Sequence, residues 1–201
     1  MNIAVFASGN GSNLQALIDG EAKVQLGKGK ITLVVSDKTE AFALKRAEKA
    51  GIETFILDPA PFKSREEYDK KIHEQLQEKN IELVVLAGFM RILSDFFVDE
   101  YQGRILNIHP ALLPSFKGAY GIKDAFECGV KVTGVTVHFV TKELDVGPII
   151  LQESVPVEEN DTLETLEEKI HTVEHRLYPE AVRLFSEEKL KIEENRVRIY
   201  K

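Results

Sequence analysis

The sequence predicts an α/β protein: a doubly wound, mostly parallel sheet with a Rossmann-like N-terminal half and an antiparallel hairpin in the C-terminal half. Three observations lead there. Five short apolar runs, at residues 2–7, 31–36, 53–57, 83–87 and 105–110, alternate with segments of helical spacing, the pattern of a parallel sheet covered on both faces. The first run passes through Ser8-Gly9-Asn10-Gly11-Ser12-Asn13 into Leu14, Leu17 and Ile18 at helical spacing, which is the strand, glycine turn and helix start of a doubly wound fold. Residues 132–140 (VTGVTVHFV) and 149–157 (IILQESVPV) read as paired strands joined by 141–148.

Length and charge narrow the classes. At 201 residues the chain suits one domain, 1–201, with halves 1–100 and 101–201. Hydrophobic residues at 43% and charged residues at 29% are those of a globular protein and not of a disordered one. A net charge of −7 argues against a nucleic-acid binder and leaves an anionic small molecule open, since a few backbone N–H groups hold one phosphate locally. Cys128 is the single cysteine, so no internal disulfide forms and a cytoplasmic location is expected. With no basic leader and no long apolar run, neither a signal peptide nor a membrane span is expected.

Each element follows from local chemistry. Residues 40–50, rich in Ala, Lys, Glu and Leu, read as a helix stopped by Gly51. Ser64-Arg65-Glu66-Glu67 is a capping box opening a helix to about residue 79. The run at 83–87 (LVVLA) is apolar throughout and so buried on both faces. Short helices are expected at 94–101 and 120–128. Asp161 with Glu164 starts a helix whose apolar stripe is Leu163, Leu166, Ile170, Val173 and Leu177. Pro179 should kink or split it, with a second piece to about residue 189. Residues 196–200 form an edge strand.

Several places carry chemistry, each beside a plainer reading. The glycine loop either cradles a phosphate, with Ser12 and Asn13 as added donors, or is a tight turn; Leu14 stands where a dinucleotide fingerprint has its third glycine. Asp37 ends the second strand, either on a ribose hydroxyl or as a turn cap. Arg65 gains nothing from the helix dipole at a helix start, which suits a ligand role or an ordinary surface arginine. Phe89, Met90, Ile92 and Leu93 follow the fourth strand, as pocket wall or as core. Asn107 and His109 lie two apart on a strand and face the same way, so an amide donor and an imidazole meet where the strand leaves the sheet; the alternative is a structural polar pair. Leu113-Pro114 suits a cis bond. Asp145, in the 141–148 connection beside the strand that carries His138, can orient an imidazole. His171-Thr172-Val173-Glu174-His175 spells H-x-x-E-H, but with no third ligand evident it reads as a polar helix face and no metal is expected. Cys128 is read as structural.

Taken together, Ser8 to Gln15, Leu86 to Leu93, Asn107-Ile108-His109-Pro110, Val137 to Val140, Leu144-Asp145 with Gly147-Pro148, and Glu174-His175 resemble the phosphoribosylglycinamide formyltransferases, the folate-dependent enzymes of purine synthesis. The resemblance spans nearly the whole chain. It implies that Gly11, Ser12 and Asn13 hold the phosphate of glycinamide ribonucleotide, with Glu174 on its ribose and His171, Thr172 and Val173 lining the same side. It implies a 10-formyltetrahydrofolate pocket made by Arg65, Met90, Arg91, Ile92 and Leu93 with Asn107, Thr141, Lys142, Glu143, Leu144 and Asp145. Asn107, His109 and Asp145 become the catalytic trio of a direct formyl transfer. The halves become a phosphate-binding half and a catalytic and folate half of one formyltransferase domain. The partners are then small molecules, without nucleic acid or membrane, and the chain a monomer or homodimer. One departure is Tyr120, where the family often has histidine; a phenol is no base at neutral pH. Rival readings are a methionyl-tRNA or sugar-nucleotide formyltransferase, a formyltetrahydrofolate hydrolase, a nicotinamide-dependent oxidoreductase, and a non-catalytic nucleotide-binding module. The transfer-RNA enzyme usually carries a further C-terminal domain and the hydrolase an N-terminal one, and neither is expected here.

Overall fold

The computed structural model describes residues 1–200, with elements in the order β1 (Asn2–Phe6), α1 (Ser12–Ala22), β2 (Lys30–Ser36), α2 (Phe42–Lys49), β3 (Glu53–Ile56), α3 (Arg65–Glu78), β4 (Leu83–Leu86), α4 (Asp95–Glu100), β5 (Ile105–His109), α5 (Gly121–Cys128), β6 (Val132–Phe139), β7 (Ile149–Pro156), α6 (Leu163–Ser186), β8 (Leu190–Glu193) and β9 (Arg196–Ile199). The main sheet runs β3-β2-β1-β4-β5-β6-β7. Its first five strands are parallel, and β6 and β7 join antiparallel. The fold class read from the sequence is the observed one.

Alternation along the strands sorts two apolar layers. Val5, Val85, Leu106, Ile108, Val135 and Val137 face one layer with α1, α2 and α6; Phe6, Leu33, Val84 and Ile105 face the other with α3 and α4. Asn107 and His109 therefore point to the α3–α4 side, beside Thr136 and His138 of β6, which pair with them in register. The strand order reverses between β1 and β4, so the loops after these strands diverge and leave a crevice, where open α/β sheets bind ligands. Ser8 stitches the two loops together. Its N–H donates to the Gly88 carbonyl at 3.1 Å and its hydroxyl oxygen accepts the Met90 N–H at 3.0 Å.

Several local expectations are corrected. The last long helix is capped by Thr162 and Thr165 and not by Asp161 and Glu164. Asp161 instead accepts the Glu158 N–H and the Lys169 ammonium. α6 runs unbroken through Pro179. The proline's missing N–H costs one helical bond, but its ring is buried against Gly20 of α1, and packing outweighs that loss. Ser64 caps α3 as expected, yet Glu67 accepts from Lys63 N–H, one residue before the cap. Strand 196–199 does not extend the main sheet: it pairs with β8 in a separate two-stranded sheet. Cys128, read as structural, is exposed at the end of α5. Leu113-Pro114 is cis.

One glycine fixes the return of the β6–β7 connection. A Cβ on Gly147 would stand 1.8 Å from the Phe139 carbonyl oxygen, and the bond from Phe139 N–H to the Pro148 carbonyl holds that approach at 2.9 Å. Gly147→Ala is expected to destabilise the chain by about 1–3 kcal/mol, the range for forced overpacking. That corresponds to a melting temperature lower by roughly 2–12 °C at this size. A thermal melt within a degree of the parent would show that the connection has slack.

Candidate active site

The centre of the site is the carboxylate of Asp145, which is buried. Asp145 adopts a left-handed backbone at φ 54°, uncommon for a residue with a Cβ and a mark of local constraint. Its Oδ2 accepts the Gly118 N–H at 2.8 Å and lies 3.7 Å from Nδ1 of His109. Its Oδ1 lies 3.8 Å from Nε2 of His138. One acid thus stands between two buried imidazoles. The Nε2 of His109 donates to the Phe116 carbonyl at 2.7 Å, so both ring nitrogens of His109 face oxygen acceptors. Gly121 crosses close behind, where a Cβ would sit 3.2 Å from that Nε2. Asn107, on the same face, has its Nδ2 3.2 Å from Nε2 of His138. Burial pushes the pKa of His138 below the usual histidine value, against the opposing pull of the Phe139 carbonyl and Asp145.

The glycine loop forms the other shore. Gly11 is left-handed at φ 74° and N-caps α1 without a side-chain cap, and no acidic residue lies in the first turn. Free N–H groups and the dipole there favour an anion. A Cβ on Gly11 would meet Ala43 at 2.7 Å, so the turn and α2 need that glycine together. Arg46 of α2 braces the loop from behind, donating from Nε to the Asn10 carbonyl at 2.9 Å and from its guanidinium to Asn10 Oδ1 at 3.0 Å. Asn13 donates to Glu174 Oε2 at 3.1 Å, while its own buried Oδ1 has no partner among the described residues. Glu174 is itself buried on α6, and His171 Nδ1 bonds it at 2.8 Å. That bond pushes the His171 pKa upward. Thr172 is exposed and donates back to the Glu168 carbonyl, and Val173 leans on the core. One turn on, the Tyr178 hydroxyl, fully buried, is within reach of the carbonyls of Leu86 at 2.8 Å and Leu106 at 3.0 Å, where β4 and β5 part.

The loop after β4 divides. Phe89 and Leu93 belong to the core, whereas Met90 and Ile92 are exposed. Arg91 lays its guanidinium on the Tyr68 ring at 4.7 Å, with a buried Nε that has no partner among the described residues. Arg65 is exposed at the start of α3. Thr141, Lys142, Glu143 and Leu144 form an exposed loop tied down by Lys142 to Asp99 at 2.8 Å. Tyr120 is also exposed.

The structure thus brings Asn107, His109 and Asp145 together, and Asn13, His171 and Glu174 together. The sequence left four supports unseen: Arg46 behind the loop, the Phe116 carbonyl and Gly118 N–H on the trio, and the direct bond from Asn107 to His138. Only the last had a signal, since His138 alternates onto the face opposite Val137. Of the H-x-x-E-H run, His171 is bonded to Glu174 and stacks on His175 with ring centroids 6.1 Å apart. Among the described residues no cluster of three or more His, Cys, Asp or Glu is placed to hold a metal ion. No described helix is long and apolar enough to cross a membrane. A cavity of about 480 Å³ touches Asp145 from the side of Lys117 and Arg196. A larger one, about 650 Å³, lies away from all these groups, between Met1, Glu82, Arg104 and β8.

Known proteins share both the sequence and the fold of this chain. The sequence model of the formyl transferase family matches residues 1–182. The phosphoribosylglycinamide formyltransferase of Escherichia coli (strain K12) is 48% identical over 195 residues, 97% of this chain and 92% of that protein. The trifunctional purine biosynthetic protein adenosine-3 of Gallus gallus is 50% identical over 184 residues, 92% of this chain; the chain spans only 18% of that much longer relative. The crystal structure of glycinamide ribonucleotide transformylase 1 from Symbiobacterium toebii superimposes with a TM-score of 0.97 at 48% identity, covering 100% of this chain and 94% of that one. With fold and sequence in agreement, the chain belongs to the formyl transferase family.

Proposed function

We propose that the chain transfers the formyl group of 10-formyltetrahydrofolate to the amine of N1-(5-phosphoribosyl)glycinamide, giving formylglycinamide ribonucleotide and tetrahydrofolate in purine synthesis. The observation that carries this reading is the placement of half-buried Asn107 with buried His109 and Asp145 between an open helix N-terminus backed by Glu174 and an exposed loop pair at 90–92 and 141–144. Gly11, Ser12 and Asn13 supply N–H groups for the phosphate. The carboxylate of Glu174 and the unpartnered Oδ1 of Asn13 accept from ribose hydroxyls, with His171, Thr172 and Val173 alongside. Met90 and Ile92 offer apolar surface to the pterin, and Leu93 offers backbone. Arg65 and Arg91 suit carboxylates on the donor's tail. Thr141, Lys142, Glu143 and Leu144 close over the donor, and no metal is called on.

The substrate amine attacks the formyl carbon, and a C–N bond forms as the carbonyl becomes an oxyanion. Asn107 donates one N–H to that oxygen. His109 donates a second from Nε2, exchanging the Phe116 carbonyl for it, while Asp145 balances the charge of the ring from the Nδ1 side. A proton leaves the attacking nitrogen and reaches N10 of the folate through His109 or water. The bond from the carbon to N10 then breaks, and tetrahydrofolate departs. Both substrates draw on residues from both halves, so 1–201 acts as one formyltransferase domain. With a lone, exposed cysteine, the chain suits the reducing cytoplasm.

Absorbance at the wavelength of tetrahydrofolate formation tests the reading directly. His109→Ala and Asp145→Ala are each expected to lower kcat by about 10²–10⁴, the range for losing acid–base or oxyanion groups, with cooperative melting retained. Wild-type rates in both variants would remove the mechanism. Release of tetrahydrofolate without the nucleotide would point to a hydrolase.

Glu174→Gln keeps the shape but removes a charge-assisted acceptor. It is expected to raise KM for the nucleotide by about tenfold, from roughly 1.5 kcal/mol of lost hydrogen bonding, leaving KM for the folate within twofold. Equal rises in both would place Glu174 outside the nucleotide's half of the cleft.

A further inference from the structure

The catalytic trio leaves one buried histidine without a task. His138 is 2% exposed, lies near the end of β6 between β5 and β7, and touches both Asp145 and Asn107. Its hydrogen bonds define its protonation in sequence. The carbonyl of Phe139, 2.9 Å from Nδ1, can only accept. The proton of the ring is therefore on Nδ1. A neutral imidazole has one N–H, so Nε2 presents a lone pair and can only accept. The atom of Asn107 that faces it at 3.2 Å must then be the amide nitrogen. Turning the carboxamide over would set Oδ1 lone pairs against the Nε2 lone pair, with nothing donated between them.

We propose that His138 is a positioning residue that acts through Asn107: as a neutral ring protonated at Nδ1 it accepts one carboxamide N–H and so fixes which end of the amide faces the substrate. The inference rests on the formyl-transfer reading above and deepens it. Asn107 pairs directly with His138 across β5 and β6, so the two side chains meet without any loop having to move. One N–H of Asn107 is then committed to His138, and the second remains, in the same amide plane, for the oxyanion. An amide free to turn could present its acceptor oxygen to that negative charge. A donor already aimed costs no reorganisation when charge develops.

The groups around the ring support the neutral form. Asp145 Oδ1 at 3.8 Å would favour a second proton, and His109, held on the other oxygen of the same carboxylate, disfavours it. Burial outweighs both and holds the ring below the usual histidine pKa. Were His138 protonated, its Nε2–H would draw Oδ1 of Asn107 or of Asp145, and the amide would lose its aim. The acid of the trio and the amide of the trio are thereby linked through a residue that need not touch substrate.

Two variants of the full chain separate positioning from packing. His138→Gln places an oxygen acceptor near the position of Nε2 and loses the bond to Phe139. His138→Asn keeps a donor near the position of Nδ1 for Phe139 and loses the acceptor. We expect His138→Asn to lower kcat by about 10–100-fold, below the loss for deleting an oxyanion donor outright, with KM for each substrate within about twofold. We expect His138→Gln to recover to within about fivefold of the parent. The reverse order, equal losses in both, or no loss in either would overturn the proposal. Nitrogen-15 NMR of the parent chain gives a readout independent of turnover and of variant folding. The proposal expects a neutral His138 with its proton on Nδ1, and one Asn107 amide proton shifted downfield by the bond. A charged ring, or a proton on Nε2, would overturn it. A parent chain that transfers no formyl group would sink the proposed function, and the NMR result would still decide the contact.

Discussion

A carboxylate cannot be buried alone. Moving it out of water costs several kcal/mol unless charges and donors replace its hydration, and most of what is unusual in this chain follows from meeting that demand at Asp145. The Gly118 N–H reaches one oxygen, and His109 and His138 flank both. For Gly118 to arrive, the chain after β5 must fold back over His109. It does so through an irregular loop with cis Leu113-Pro114 and a left-handed Phe116 at φ 52°, whose carbonyl then caps the imidazole. For Asp145 to arrive, the β6–β7 connection must return to the sheet, which Gly147 allows because it carries no Cβ to strike the Phe139 carbonyl oxygen. Strand order, loop shape and two glycines serve one buried charge.

The same device appears again at Glu174, with a different outcome. Here too a buried acid is bonded to an imidazole, His171, and to an amide, Asn13. His171 is half-exposed, so the bond to Glu174 dominates and its pKa rises. His138 is wholly enclosed, so burial dominates and its pKa falls. Acid–histidine pairs therefore give a ring inclined to charge in one place and a neutral acceptor in the other. Water decides between them: the open face of α6 keeps solvent near His171, and the sheet interior denies it to His138.

How much of this was legible beforehand depends on the range of the physics involved. Strands 31–36 and 83–87 were plain because burial on both faces leaves an unmistakable apolar run. The common face of Asn107 and His109 followed from the period of a strand, and the pairing of Asp145 with an imidazole was anticipated from the connection that carries it. Direct bonds across long sequence gaps were harder to read: Arg46 bonds Asn10 from 36 positions away and Glu174 bonds Asn13 from 161, and although Asn13 and Glu174 were placed at one site by resemblance, no local propensity records either bond. Pro179 shows the opposite failure. Its local rule was read correctly, but packing on Gly20 overrode it. Likewise Asp161 was a sound cap by composition, and Thr162 with Thr165 won because the pair satisfies two helix-end donors reciprocally.

The arrangement also explains why a nucleophile would be out of place here. The groups nearest the centre, Asn107, His109 and His138, are donors or acceptors of hydrogen bonds, and each is held by a partner that fixes its direction. Cys128, the one strongly nucleophilic side chain, is exposed on a different element. A reaction in which one substrate attacks the other directly needs from the protein only placement, a stabilised oxyanion and a path for one proton. In the proposed reaction, placement would come from the diverging loops after β1 and β4, oxyanion donors from Asn107 and His109 on one strand face, and the proton path from the imidazole that faces Asp145. Each of these is a consequence of strand geometry before it is a consequence of side-chain chemistry, because β5 is the strand at which the sheet changes from parallel to antiparallel pairing. That change lets β6 bring His138 alongside Asn107 and lets the next connection fold Asp145 back onto both.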